Sequence, residues 1–341
     1  MTWDQYEERF RREATLLGLS KVDQSLSEAK NLFERGLPVL FSANHVRLAL
    51  GSAPDKFTAL LEKPHEFYFQ FDVPKRAGGF RTIHQPVDTL AAIQRWILQN
   101  ILEKLPIHSK AMAFRRDHSI RMNAGLHANK AWVLSVDLVD FFGSVRPSRI
   151  QAVFANAGYR AEVARALAGL CCLARSLPQG APTSPALSNL VFTALDETIE
   201  HLASAKGFEY SRYADDLCFS GIAVPTAILG PLRRLLHDSG FRLSESKTRL
   251  MPSYRQQKVT GLVVNAGPRV PRSVRRRLRQ ELYYIQQFGL AVHEQRIGAL
   301  RTNRSDHLRG MAEFIRSVSP GDPVVKLADQ VLGRFRSVRL P

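Results

Sequence analysis

The chain is poor in cysteine, in acids and in long apolar runs. Its only thiols are Cys171, Cys172 and Cys218. Their odd number and the lack of a C-x-x-C spacing speak against a disulfide framework or a zinc knuckle and suit the cytoplasm. Nowhere do 18 uncharged apolar residues run together, so no membrane partner or span is expected. The opening "MTWDQYEERFRREATLLGLS" carries acids and arginines throughout, without the apolar stretch of a secretory signal. There is no internal repeat and no low-complexity tract. Acids number 31 against 48 Lys plus Arg, a net charge of +17. A surplus of that size implies a polyanionic partner. Nucleic acid fits best, because each basic side chain set on a phosphate releases a counterion.

What is present is an ordinary globular composition, 45% apolar over 341 residues, enough for two or three structural units. Residues 1–65 read as helices, including "DQSLSEAKNLFERG" with Asp23 as its cap. "EFYFQFDVPKRAGGFRTIHQP" (66–86) has the two apolar runs and Pro-to-Gly turn of a β-hairpin. A helix is expected over about 87–105, a buried strand over 132–137, and two helices across 147–171. "LPQGAPTSPALSN" (177–189) is a loop entering a long helix, with Thr183 or Ser184 as cap and Pro185 in the first turn. The apolar runs flanking Asp215 and Asp216 make a hairpin; a helix near 226–239 and a strand, "KVTGLVVN" (258–265), follow. The tail from 266 is helical and basic. In its first helix Val274, Leu278, Leu282 and Ile285 share one face, while Arg272, Arg275, Arg276 and Arg279 gather on another. The class is α+β.

Three acids fall at strand ends: Asp137 after "WVLSV", and the pair Asp215 and Asp216 after "YSRYA". Alone, an Asp-Asp pair is more often turn chemistry. If the two strands are neighbours, the three carboxylates converge and need cations to stay ionised. Hard oxygen ligands select Mg²⁺ or Mn²⁺, and two such ions suit in-line phosphoryl transfer.

These residues carry a resemblance. "YADD" between apolar strands resembles the catalytic hairpin of reverse transcriptases, and "VDLVDFF" (136–142) their first aspartate motif. "LPQGAPTSPALSN" is similar to their nucleotide-pocket motif, "PKRAGGFRTIHQP" to their fingers hairpin, and "GFRLSESKTRL" (240–250) to their lysine-bearing motif. The resemblance implies that Asp137, Asp215 and Asp216 hold two Mg²⁺ ions, with the Leu138 carbonyl as a further ligand. It implies that Lys75 and Arg81 grip the dNTP triphosphate and that Phe142 is the ring that excludes a 2′-hydroxyl. By the same likeness Gln179 and Gly180 line the nucleotide pocket, and Lys247 protonates the leaving pyrophosphate.

"NAGLH" (123–127) and "VTG" (259–261) further resemble the two signatures of retron reverse transcriptases. Asn123 and His127, four apart on a helix, are expected to meet one RNA feature together. Val259, Thr260 and Gly261 are expected to bind RNA too, and the arginines of the basic tail to follow a duplex backbone. The likeness implies a right-hand polymerase with an N-terminal helical segment (1–65), fingers (66–130), palm (131–265, with finger elements in 147–180) and thumb (266–341). It also implies a cognate structured noncoding RNA, priming from a guanosine 2′-hydroxyl, a branched multicopy single-stranded DNA (msDNA) product, and antiphage defence with a separately encoded effector protein. The alternatives are a group II intron-like or diversity-generating reverse transcriptase, or a non-catalytic RNA-binding scaffold of a defence complex.

Overall fold

A computed structural model describes residues 1–75, 78–296 and 304–334. The parts of the expected basic tail at 297–303 and 335–341 lie outside the described residues. The chain opens with α1 (Trp3–Leu16), α2 (Val22–Glu34), α3 (Ala43–Ala49) and α4 (Pro54–Glu62), then the ribbon β1 (Tyr68–Pro74) and β2 (Phe80–Pro86). Next come α5 (Asp88–Asn100), α6 (Ile120–Leu126), β3 (Trp132–Leu138), α7 (Pro147–Asn156), α8 (Ala161–Cys171) and α9 (Ser184–Ser204). β4 (Glu209–Tyr213), β5 (Asp216–Gly221), α10 (Leu229–Asp238), β6 (Leu243–Pro252), β7 (Lys258–Val259) and β8 (Leu262–Val263) follow. The C-terminal helices are α11 (Arg272–Phe288), α12 (Leu290–Arg296), α13 (Arg304–Val318) and α14 (Pro323–Leu332).

The class is α+β, as the sequence pattern predicts. At the centre is an antiparallel sheet in the order β4, β5, β3, β6. Because side chains alternate along a strand, the sheet separates two cores. Leu134, Val136, Leu217, Phe219 and Tyr210 enter a large core with α2 to α5 and α7 to α10. Val133 and Cys218 point the other way, into a second core with α6, β7, β8, α11, α13 and α14. Among the described residues no helix is long and apolar enough to cross a membrane.

Several local expectations are corrected. Asp23 does not cap α2: it lies in the first turn, and the cap position belongs to Lys21 in a left-handed conformation. The expected helix 87–105 ends at Asn100 and tightens into a 3₁₀ turn over Leu102–Lys104. Ile101, Leu102 and Leu105 are buried all the same, so their apolar spacing marked burial, not helical continuity. Thr183 occupies the cap position of α9 without a side-chain bond to the helix. The Ser184 hydroxyl donates instead to the Pro178 carbonyl at 2.7 Å. Residues 258–265 are not one strand but a minimal hairpin, with Thr260 and Gly261 as its turn.

Candidate active site

The Asp215–Asp216 pair is the end of a two-residue hairpin. Tyr213 pairs with Asp216, leaving Ala214 and Asp215 as the loop, and Ala214 takes φ +57°. A left-handed non-glycine residue in a tight turn is strained and persists only where its surroundings fix it. Here the Arg212 guanidinium donates to the Ala214 carbonyl at 3.1 Å, and the Leu138 N–H donates to the Asp215 carbonyl at 2.9 Å. The Ala214–Asp215 turn is thus tied to β4 and to β3.

Across the sheet, Asp137 pairs directly with Asp216. The two carboxylates therefore leave the same face of neighbouring strands, and Asp215 joins them from the turn. Burial, then Asp215 and Asp137, pushes the Asp216 carboxyl up to about 6. Asp215 is raised as well, by burial first, while Arg81 and Lys247 pull it down. Such a cluster is unfavourable without cations.

One cation is already there. Lys247 Nζ donates to Asp137 Oδ1 at 2.6 Å, and this bond raises the lysine pKa. The reason is an irregularity in pairing: Ser135 faces Arg249, but Asp137 faces Ser244. Two residues of β3 thus match five of β6, and the bulge swings Lys247 over the acid, a common use of bulges beside active sites. Among the described residues no three acid, imidazole or thiolate groups already stand together as a metal cage. The donor set of Asp137, Asp215 and Asp216 is nonetheless the all-oxygen kind that hard divalent ions take, and the ammonium on Asp137 answers the same electrostatic demand.

Asp137 and Asp216 open into a groove of about 520 Å³ lined also by Ser135, Lys247, Arg249, Lys258 and Thr260. A larger cavity of about 630 Å³ lies elsewhere, between α7, α9 and α10, with apolar walls of Val153, Leu190, Ala194 and Leu235. It holds none of the three acids, so the smaller groove is the candidate site.

The 177–189 loop is held against β2. The His84 N–H donates to the Gln179 carbonyl at 2.7 Å, fastening the 177–189 loop to β2. Gly180 takes φ +116°, and a Cβ there would stand 2.9 Å from the His84 carbonyl oxygen, so only glycine fits this approach. Lys75 and Arg81 are exposed at the outer end of the ribbon. Phe142 is half-buried beside Phe141 and Phe114, with ring centroids 5.6 and 6.4 Å away.

The retron-like signatures are reassigned in part. α6 does place Asn123 and His127 on one face, but that face is fully buried. His127 Nε2 lies 2.7 Å from Ser211 Oγ and its Nδ1 lies 2.8 Å from Ser220 Oγ. The Ser211 hydroxyl donates to Asn123 Oδ1 at 2.6 Å. With that proton committed, Nε2–H must donate to Ser211 and Nδ1 must accept from Ser220. Burial holds the imidazole neutral, its pKa lowered to about 3. Neither side chain is open to RNA, which corrects the direct-contact expectation: they lock α6 onto β4 and β5. Val259 is buried too, whereas Thr260 and Gly261 line the groove. Thr260 Oγ1 donates to the Ile120 carbonyl at 3.2 Å, so the turn of the second signature is bonded to the first residue of α6, the helix that carries the first signature. On α11, Leu278, Leu282 and Ile285 are buried as expected, and Arg272, Arg276 and Arg279 are exposed. Arg275 is different: it donates to Asp322 Oδ2 at 3.0 Å and so fastens α11 to the start of α14.

Sequence reading missed Arg249 and Lys258 in the groove, Ser211 and Ser220 under α6, and the buried Arg212. Strand parity carried a signal for the serines: in "YSRYADD" and "DLCFSG", Ser211 and Ser220 fall on the face of the acids.

The family description "Reverse transcriptase (RNA-dependent DNA polymerase)" matches residues 73–264. The chain is similar to the retron Mx162 reverse transcriptase of Myxococcus xanthus, 36% identical over 74% of this chain and 58% of that protein. It thus spans less than two thirds of that relative. It is also similar to the retron Mx65 enzyme of the same organism, 33% identical over 86% of this chain and 72% of the relative. The retron Ec86 reverse transcriptase of Escherichia coli is 31% identical over 83% of this chain and 86% of its own. Among solved structures, telomerase from Candida albicans superposes with a TM-score of 0.46 at 11% identity, over 79% of this chain and 57% of that one.

Proposed function

The chain belongs to the retron reverse transcriptases, and from that premise we propose that it is an RNA-directed DNA polymerase whose reaction centre is Asp137, Asp215 and Asp216. The observation that carries this reading is the direct pairing of Asp137 with Asp216, with Lys247 bonded to Asp137. Two Mg²⁺ ions would be held by the three carboxylates and the Leu138 carbonyl; Mn²⁺ is a possible substitute. When bound, they supply the charge that activates the attacking hydroxyl and stabilises the leaving pyrophosphate. The residues of the chain do the rest. Lys75 and Arg81 grip the triphosphate, Gln179 and Gly180 shape the pocket, and Phe142 stands against a ribose 2′-hydroxyl. Lys247 is positioned to give its proton to pyrophosphate.

In this reading β1 and β2 belong to the fingers, the β4-β5-β3-β6 sheet to the palm, and the helices after 266 to the thumb. Thr260, Gly261, Arg272, Arg276 and Arg279 are the surfaces for RNA. The template is a cognate structured noncoding RNA, synthesis starts from a guanosine 2′-hydroxyl, and the product is branched msDNA. A separately encoded effector completes an antiphage system in the cytoplasm. These finer statements rest on likeness to the family.

The deciding experiment is primer extension with Mg²⁺ on the chain's own RNA, comparing wild type with Asp215→Asn. We expect dNTP incorporation by the former and none by the latter. Absence of incorporation by both overturns the polymerase reading.

A further inference from the structure

Ala111, Met112 and Ala113 are buried, and the chain is firmly fixed there. The Met112 N–H donates to the Arg212 carbonyl and the Arg212 N–H to the Lys110 carbonyl, each at 2.8 Å, so this segment runs along β4. Asn189 Nδ2 donates to the Ala113 carbonyl at 2.8 Å. The next residue breaks the pattern. Phe114 takes φ +60°, a conformation that a bulky side chain adopts only under constraint, and it is 48% exposed. Neither backbone preference nor burial accounts for a phenylalanine at this position.

Its ring pairs with Phe142. The two centroids stand 6.4 Å apart at 46°, within the range in which aromatic rings attract. Phe142 also pairs with Phe141 at 5.6 Å, and Phe141 is anchored in the core against Phe192 and Phe241. Phe142 therefore has two ring partners, one fixed in the core and one presented by the strained loop. That loop is in turn tied to the aspartate turn. Asn189, bonded to Ala113, accepts from Arg212 Nη1 at 3.1 Å, and the same nitrogen donates to the Ala214 carbonyl at 3.1 Å.

Resting on the reading of Phe142 as the sugar gate, we propose that Phe114 is a positioning residue for that gate. It holds the Phe142 ring in the orientation that excludes a 2′-hydroxyl, and so helps to set the preference for deoxyribonucleotides. Steric exclusion works only while the ring stays in place, since a ring free to change rotamer admits the larger sugar. Phe142 is only half-buried, so core packing does not fix it alone. The second ring supplies the missing restraint.

The test measures the ratio of kcat/KM for one dNTP over its matched rNTP in Phe114→Gly, Phe114→Tyr, Phe142→Val and the variant carrying both Phe114→Gly and Phe142→Val. Glycine accepts a left-handed backbone without strain, so Phe114→Gly removes the ring and spares the loop, whereas tyrosine keeps the ring. We expect the ratio to fall about ten-fold in Phe114→Gly, through a higher kcat/KM for the rNTP, and to stay near wild type in Phe114→Tyr. Because Phe114 acts through Phe142, the double variant should discriminate no worse than Phe142→Val alone. An unchanged ratio in Phe114→Gly beside a lowered one in Phe142→Val overturns the proposal and leaves the gate reading standing. Losses that add in the double variant also overturn it, as does an equal fall in kcat/KM for both nucleotides, the mark of a merely structural role. A wild-type ratio in Phe142→Val overturns the gate reading itself, and the proposal with it.

Discussion

Arg212 and Asp196 form a doubly bonded ion pair with no exposure to solvent: Nε donates to Oδ1 at 2.9 Å and Nη2 to Oδ2 at 2.7 Å. The pair ties β4 to α9, and both groups have further partners. Nη1 donates to Asn189 Oδ1 and to the Ala214 carbonyl, each at 3.1 Å. The Tyr210 hydroxyl adds a 2.7 Å bond to Asp196, and the guanidinium lies 4.5 Å from the Phe192 ring centroid. The strained turn between β4 and β5 therefore stands on a buried charge.

Burying two charges is costly, but removing only one is worse, because the survivor has no partner. Arg212→Met or Asp196→Leu should each cost about 3–5 kcal/mol, read by urea unfolding. The double variant should recover part of that loss. Single losses under about 1 kcal/mol would mean that the pair does not hold the hairpin.

Lys247 calls for the opposite pattern. Its side chain is 61% exposed, and exposed ion pairs contribute at most about 1 kcal/mol to stability. Lys247→Ala should unfold within about that margin of wild type. If its ammonium protonates pyrophosphate, single-turnover incorporation should fall roughly 10²–10⁴-fold. An undiminished rate removes the acid role and leaves Lys247 as a counter-charge of Asp137.

Much of this arrangement was legible in the sequence, because strand alternation and two acid-ended strands demand one result: acids on the same face. Asp137 and Asp216 need only neighbouring strands to meet. Other relations were hidden for definite reasons. Lys247 reaches Asp137 through a bulge, which strand periodicity does not reveal. "VTG" looks like extended chain, yet Thr260 takes φ +46° and Gly261 φ +80°, so the letters that suggest a strand make its turn. "NAGLH" shows a shared helical face but not its direction. That direction is set by Ser211 and Ser220, more than eighty residues away in sequence.

The gate role proposed for Phe142 makes a prediction about sugar choice. Phe142 packs against Phe141 yet remains half-buried. Rejection of a 2′-hydroxyl is steric exclusion, an element built against the wrong substrate. Phe142→Val should lower the preference for dNTP over rNTP by about ten-fold or more. The check is the ratio of kcat/KM for one matched pair of nucleotides, and an unchanged ratio would remove Phe142 from the gate.

The buried network of Asn123, Ser211, His127 and Ser220 makes a pH prediction whose sign is fixed. The folded imidazole has its pKa lowered to about 3, against roughly 6.5 in the unfolded chain. The unfolded state therefore takes up a proton that the folded state refuses. The stabilisation is whole above about pH 6.5 and is lost as pH falls from there toward about 3. Between pH 6.5 and 5, above the range where most carboxylates titrate, wild type should lose about 1–2 kcal/mol to this group. His127→Gln should flatten that part of the curve while lowering stability at pH 8 by about 1–3 kcal/mol, because Ser211 and Ser220 lose partners. Asn123→Ala should lower stability at pH 8 by a similar amount and keep the slope. Urea unfolding at pH 5, 6.5 and 8 tests both variants. A slope in His127→Gln equal to wild type would show that another group is responsible. If either variant kept full stability but stopped discriminating the native noncoding RNA from unrelated templates, the direct RNA contact would be restored and the structural role of the pair refuted.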